Sequence, residues 1–426
     1  MTALTIAPSG THLLRDGGYL PLIIDTAWSA FADPTESEWR IYLAARRRQG
    51  FTAALITTCP VLHDRVERAD SREPFELDDD GHHLFDRLDA GYFTRAHEFV
   101  RIAQDEYGIT AMITVLWNNY LPGTWGAAAT PQAVMPPDQR RGYVRKVAET
   151  FADLAPIFVV GGDDDYTVAA ANAAYLDAID VLREVSPRSL LTTHSAPNAI
   201  VPDEILDRLD FFLHQTGHNV ENQELPWQQP PRYLARVPRK PLINSEPPYE
   251  LHGKVGGHAR WSRDEVRAAS WSSVLGGATG GIGYGAHGVW MWATTTGAFQ
   301  AAGPSLEPFS WAETLTLPGA LDISLMAMLF RRHRLDRLLP AQELLVEARG
   351  ERVRAAASAD RDLVAVYLPF AIDVELTLDL NEYDISAWDL LERAPLVVDA
   401  TTAAGNTRLA QLFSRADQLV IAERRA

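Results

Sequence analysis

Pro241-Leu242-Ile243-Asn244-Ser245-Glu246-Pro247-Pro248-Tyr249-Glu250 carries the reading of the whole chain. The apolar pair Leu242-Ile243 ends on Asn244 and Ser245, and a carboxylate follows. Two prolines then stop the strand, because proline has no N–H to give to a ladder. This is the pattern of a short buried strand that presents an acid at its C-terminal end. In a (β/α)8 barrel that end is the catalytic face, so Glu246 reads as half of a carboxylate pair.

Outward from this stretch, similar apolar runs occur at 20–24, 51–58, 109–116, 157–160, 189–193, 211–213 and 280–285. They alternate with helical patterns at 92–107, 137–154 and 169–185. Two further helices open on capping boxes, Thr35 with Glu38 and Ser262 with Glu265. Eight apolar runs separated by helices predict a parallel (β/α)8 TIM barrel, an α/β fold. The runs are near-continuous, as strands buried on both faces should be. A doubly wound open sheet competes, weakened by the lack of a G-x-G-x-x-G after the first strand. The stretches 64–89 and 121–136 read as long loops on the catalytic face. Near residue 340 helical periodicity gives way to short strands at hairpin spacing (344–347, 353–356, 363–368, 374–378), the pattern of an all-β sandwich. The expected division is a barrel over 1–340 and a β-sandwich over 341–426.

With 46% hydrophobic residues in a chain of 426, a large core is expected. A formal charge of −17 argues against nucleic acid or an anionic membrane as a partner. Cys59 is the one cysteine, so no intrachain disulfide can form. Met1 to Gly18 lacks the basic start and apolar core of a secretory signal, and no run of about 18 apolar residues would span a membrane. The expectation is a cytoplasmic protein.

Asp163, in Gly161-Gly162-Asp163-Asp164-Asp165 after the fourth apolar run, is the natural partner of Glu246. Glycoside hydrolysis needs two carboxyl groups flanking the scissile bond, one to protonate the leaving oxygen and one to attack the anomeric carbon or activate water. Either acid could instead cap a helix. Trp28, Trp117, Tyr120, Tyr249, Trp290 and Trp292 fall at strand ends or just beyond, where aromatic faces can pack on sugar C–H faces, or where they can simply fill the barrel. Asn118, His194, Gln215, His218 and His287 could bind hydroxyls. His194, His214, His218 and His287 also invite a metal reading, but their spacing is poor for one, so neither metal nor cofactor is expected. Ser245 lacks the G-x-S-x-G elbow. A metal-dependent hydrolase and a non-catalytic sugar-binding protein stay open as alternatives.

These motifs resemble glycoside hydrolase family 140 and related apiosidase-like barrels. The resemblance rests on Ile24-Asp25-Thr26-Ala27-Trp28, Gly161-Gly162-Asp163, Gln215-Thr216-Gly217-His218, Glu246-Pro247-Pro248-Tyr249-Glu250 and Tyr284-Gly285-Ala286-His287-Gly288-Val289-Trp290. It implies a retaining, furanosidase-like enzyme acting on an oligosaccharide or glycoside. By that resemblance Asp163 would be the acid/base and Glu246 the nucleophile, with Asp25, His218, Tyr249 and His287 binding the sugar.

Overall fold

The fold, a computed structural model, describes residues 3–68, 70–294, 298–301, 306–347, 351–410 and 416–425. Eight parallel strands form one sheet: β1 (Leu22–Thr26), β2 (Ala53–Thr57), β3 (Thr110–Trp117), β4 (Ile157–Asp164), β5 (Leu191–Ser195), β6 (Phe212–Gln215), β7 (Leu242–Glu246) and β8 (Gly281–Tyr284). β8 pairs with β1. β5 and β6 lie side by side, with Thr192 Oγ1 donating to the Phe211 carbonyl at 2.9 Å, so the sheet closes on itself. A closed ring of parallel strands removes the open-sheet alternative. β1, β2, β3, β5, β6, β7 and β8 are buried along their whole length, which is why they read as unbroken apolar runs.

Helix α1 (Glu36–Arg48) starts at the Thr35/Glu38 capping box. Helices α2 (Ala90–Arg101), α3 (Pro137–Phe151) and α4 (Ala169–Val185) follow, and α5 (Arg263–Leu275) starts at the Ser262/Glu265 box. The stretch 64–89 is not the plain loop expected from its lack of periodicity. Asp64–Glu67 pairs antiparallel with Ala298–Ala301, and Phe75–Leu77 pairs with His83–Leu88. Ahead of β1, three short antiparallel strands within residues 5–20 pack at the N-terminal end of the barrel, where Arg15 Nη1 donates to the Gly108 carbonyl just before β3 (2.9 Å).

The C-terminal part is a sandwich of a six-stranded and a three-stranded antiparallel sheet. The expected boundary at 340/341 falls at the end of Leu339–Pro340, which already pairs with Ala356–Ala357. Strand Leu363–Leu368 is buried on both faces. Leu363, Ala365 and Tyr367 join the barrel core, while Val364, Val366 and Leu368 fill the sandwich, as a period of two requires. A buried ion network fastens the two parts. Arg267 of α5 donates to Asp322 (3.0 Å) and Asp417 (2.6 Å), and Arg263 and Arg393 also reach Asp322. No helix among the described residues is long and apolar enough to cross a membrane.

Candidate active site

At the C-terminal ends of the barrel strands lies a cavity of about 460 Å³, and both Asp163 and Glu246 line it. Each carboxyl comes from a strand whose register slips beside it. In β4, Val159 faces Thr192, Gly162 faces His194 and Asp164 faces Ser195, so β4 carries extra residues and Asp163 is left out of the ladder. Asp163 takes a left-handed backbone, φ 52°. In β7, Asn244 faces His214 but Glu246 faces Gln215, so Ser245 is the extra residue. Such bulges re-aim side chains at the rims of barrels. The glycine before Asp163 is required by close approach, since a Cβ on Gly162 would lie 2.2 Å from Trp117 Cε3.

The bulge in β4 sorts three consecutive acids. Asp164 is fully buried and accepts from the Tyr175 hydroxyl (2.6 Å) and the Tyr166 N–H (3.0 Å). Asp165 accepts from the Thr167 N–H (3.0 Å) and hydroxyl (2.7 Å). Asp163 alone faces the cavity. Its carbonyl accepts from Asn118 Nδ2 (2.5 Å) and Trp125 Nε1 (2.8 Å), and its Oδ1 from Gln215 Nε2 (2.5 Å).

The two carboxyls are held in opposite electrostatic settings. Asp163 keeps some solvent contact through the cavity, yet dense protein around it makes burial the main influence and lifts its pKa well above the usual carboxylate range. The negative charge of Glu246 adds to the lift, and the Gln215 hydrogen bond offsets only part of it. Burial would raise Glu246 too, but the imidazoles of His194 and His218 outweigh it and hold Glu246 well below the usual range. His218 Nε2 donates to Oε1 at 3.1 Å, and its Nδ1 accepts from the Tyr249 N–H. His194 Nε2 lies 3.3 Å from Oε2, in contact but poorly aligned. The Tyr249 hydroxyl donates to Oε2 at 2.5 Å. Within one cavity, burial thus favours the protonated form of Asp163 while the imidazoles favour the ionised form of Glu246.

Of the fourteen residues named above for the site, eight line the cavity, Trp28, Trp117, Asp163, Gln215, His218, Glu246, Tyr249 and Trp290, while Tyr120 and Trp292 are fully buried outside it. Trp28 and Trp117 meet edge to face, centroids 4.7 Å apart. Asn118 and His194 stand one shell behind, the first on the Asp163 carbonyl and the second on Glu246. Asp25 and His287, placed among the sugar-binding groups above, lie outside the cavity with no exposed surface. Asp25 pairs with the buried Arg46 of α1 (2.7 Å), and His287 Nε2 donates to the Leu306 carbonyl (2.6 Å). The reason for Asp25 is strand alternation: it points outward to the helix layer, while its neighbour Thr26 points inward, 3.1 Å from the Tyr249 hydroxyl. His214 also points away from the cavity, onto Gln229 (2.7 Å).

Sequence reasoning missed His63, Asp64, Trp125, Asn219 and His252, all in the lining. Asp64 opens the stretch taken for a loop and His63 lies just before it, while Trp125 comes from the 121–136 loop. His252 stacks on His218 with centroids 4.0 Å apart. Burial lowers the His252 pKa well below that of a free imidazole, so at neutral pH it supports His218 as an uncharged ring.

A family model described as "Apiosidase-like, catalytic domain" matches residues 12–336. No curated protein matches the chain by sequence. Among solved structures, a protein described as a glycoside hydrolase superposes with a TM-score of 0.80 at 18% identity, covering 99% of this chain and 97% of its own. A glycoside hydrolase family 5 protein from Bacteroides vulgatus ATCC 8482 gives 0.79 at 18% identity, covering 99% and 93%. At such identities the likeness speaks for the fold.

Proposed function

Because the chain belongs to the apiosidase-like family and is a glycosidase on that ground, we propose that it is a retaining, exo-acting hydrolase of a furanoside, with Asp163 as acid/base and Glu246 as nucleophile. The observation that carries the reading is two carboxyls in one cavity held in opposite settings, Asp163 buried against a single amide and Glu246 bound by His218 and Tyr249, so that the first is pushed toward its protonated form and the second toward its ionised form. Environments that push paired acids apart assign acid and base roles.

In the first step Asp163 gives its proton to the leaving oxygen while Glu246 attacks the anomeric carbon, forming a sugar ester. The alcohol departs. Asp163, now ionised, takes a proton from water, and that water displaces Glu246 from the sugar. Tyr249 and His218 hold the Glu246 carboxylate in place through both oxygens. Gln215 fixes one oxygen of Asp163 and leaves the other for the proton. Trp28, Trp117 and Trp290 supply apolar walls for a single ring, which favours removal of a terminal sugar over cutting within a chain. The furanoside preference rests on the family description.

The test is turnover of a panel of 4-nitrophenyl furanosides and pyranosides by the wild type, Asp163→Asn and Glu246→Gln, with the anomer first released read by proton NMR. The expected outcome is cleavage of a furanoside with retained configuration and a loss of about 10²-fold or more in both variants. Near-wild-type turnover by either variant, or an inverted first product, overturns the assignment.

A further inference from the structure

His63 stands just ahead of the strand Asp64–Glu67 and lines the cavity of Asp163 and Glu246. The two-step displacement does not use it. A chain of hydrogen bonds with a fixed direction holds its ring. The Gly126 carbonyl can only accept, and Asn119 Nδ2 donates to it at 3.0 Å. The other Nδ2 hydrogen goes to Thr130 Oγ1 at 2.8 Å, and that hydroxyl donates in turn to the Gly126 carbonyl (3.0 Å). The Asn119 amide is thereby oriented, and its Oδ1 faces His63 Nδ1 at 3.0 Å. An amide oxygen accepts hydrogen bonds and donates none, so Nδ1 carries the proton of the ring. Burial lowers the His63 pKa to about 4, and the Asn119 bond and the charge of Glu246 offset only part of that. Near neutral pH the imidazole is uncharged, and Nε2 holds a lone pair.

That lone pair is an acceptor without a donor. Among the described residues Nε2 has no hydrogen-bond partner, and it is not one of the unpartnered polar atoms shut off from the surface, so it meets the open cavity. The ring cannot easily turn away. Trp125 meets it edge to face, with centroids 4.6 Å apart, and Trp117 lies at 6.4 Å. The segment that fixes His63 also fixes the acid, since Asn118 Nδ2 and Trp125 Nε1 both donate to the Asp163 carbonyl. His63 and Asp163 thus keep a set relation through residues 118–130. Neighbouring side chains are spent on the carboxyls: Gln215 donates to Asp163, and His218 and Tyr249 donate to Glu246. His63 is left to meet the ligand itself.

We infer that His63 is a specificity-determining residue: its Nε2 accepts a hydrogen bond from one hydroxyl of the sugar ring held against Glu246. The enzyme then selects glycosides in which that hydroxyl is free. A deoxy sugar has nothing to donate there, and an O-methyl ether has lost the hydrogen, so either leaves the ring nitrogen unpaired in a desolvated site. The inference rests on the glycosidase reading above and adds to it the group that reads the sugar.

The experiment uses the full chain, His63→Phe and His63→Gln, with folding checked by thermal unfolding. kcat/KM is measured on the 4-nitrophenyl glycoside that the wild type cleaves and on its analogues lacking one ring hydroxyl each. The penalty for each missing hydroxyl is compared between proteins, which cancels the intrinsic reactivity of the analogue. For one analogue the penalty should shrink by about tenfold in His63→Phe, the scale of one hydrogen bond between uncharged groups. The other analogues should keep theirs. His63→Gln carries both a donor for Asn119 and an acceptor for the sugar, so it should keep part of the penalty; it also serves if the Phe variant does not fold. In parallel, nitrogen NMR of the labelled wild type, with the His63 signals identified by their loss in His63→Gln, should place the ring proton on Nδ1. Equal penalties in all the folded proteins, or a proton on Nε2, overturn the inference. A wild type that cleaves no nitrophenyl glycoside counts against the reading of the carboxyl pair, and the His63 proton then decides alone: on Nδ1 it supports the acceptor, on Nε2 it refutes it.

Discussion

Replacing Asp163 with Asn should damage activity and improve stability, and the improvement should depend on pH in a calculable way. In the unfolded chain the carboxyl ionises near its ordinary value of 3.8. In the folded protein its pKa is raised well above that, because it is buried and faces the charge of Glu246. Over the window between those two points the native state binds a proton that the unfolded state has released, so stability falls as pH rises. Each pH unit costs the native state about 1.4 kcal/mol. Asn does not titrate, is nearly isosteric and still offers Gln215 an acceptor. The stability advantage of Asp163→Asn should therefore grow as pH rises above the ordinary carboxylate value, by no more than about 1.4 kcal/mol per pH unit, and level off where folded Asp163 ionises. Glu246 titrates below this window in the folded state and leaves the slope intact. Urea unfolding of both proteins across that range gives the difference directly, while turnover should fall by about 10²- to 10⁴-fold. Parallel stability curves would mean that folded Asp163 is already ionised, and it could not then be the proton donor.

Three further outcomes follow from particular contacts. Arg267→Ala leaves Asp417 and Asp322 buried with fewer partners between barrel and sandwich, and should cost about 3 kcal/mol in chemical denaturation; a loss below about 1 kcal/mol would mean the network is dispensable. Gly162→Ala places a methyl 2.2 Å from Trp117 Cε3 and 2.9 Å from Thr114 Cγ2. It should lower stability by about 1–3 kcal/mol and reduce kcat/KM by displacing Trp117 from the cavity wall, as thermal unfolding and turnover would show. The Cys59 thiol is fully buried, burial pushes its pKa far up, and it lies 3.0 Å from the Tyr143 hydroxyl. It should resist Ellman's reagent in the native protein and react promptly in denaturant; fast native labelling would refute that placement.

The sequence was most informative where burial is complete. Runs such as Leu22–Ile24 and Leu242–Ile243 can only be strands inside something, and their polar ends mark the barrel mouth. It was least informative where short segments pair with distant ones. Asp64–Glu67 pairs with Ala298–Ala301 more than two hundred residues away, and no local period records that. Asp64 therefore stayed unseen. Facing was the other hidden quantity. Asp25 and Thr26 are adjacent and equally plausible as cavity groups, yet one meets α1 and the other meets Tyr249, because successive residues of a strand point to opposite sides.

The bulges are what convert two strand-end acids into a working pair. A shift of one residue in a strand flips every following side chain. With a regular β4, three consecutive aspartates would be interchangeable guesses; the slips between Val159 and Asp164 aim Asp163 at the cavity and send Asp164 to Tyr175. The slip at Ser245 in β7 has a second effect, since it sets Glu246 rather than Ser245 opposite Gln215. Gln215 in turn donates to Asp163. One glutamine on β6 is thus in register with the proposed nucleophile through its backbone and bonded to the proposed acid through its side chain. The spacing of the two carboxyls is fixed by backbone pairing and one amide, and a two-step displacement needs that spacing held through both halves of the reaction.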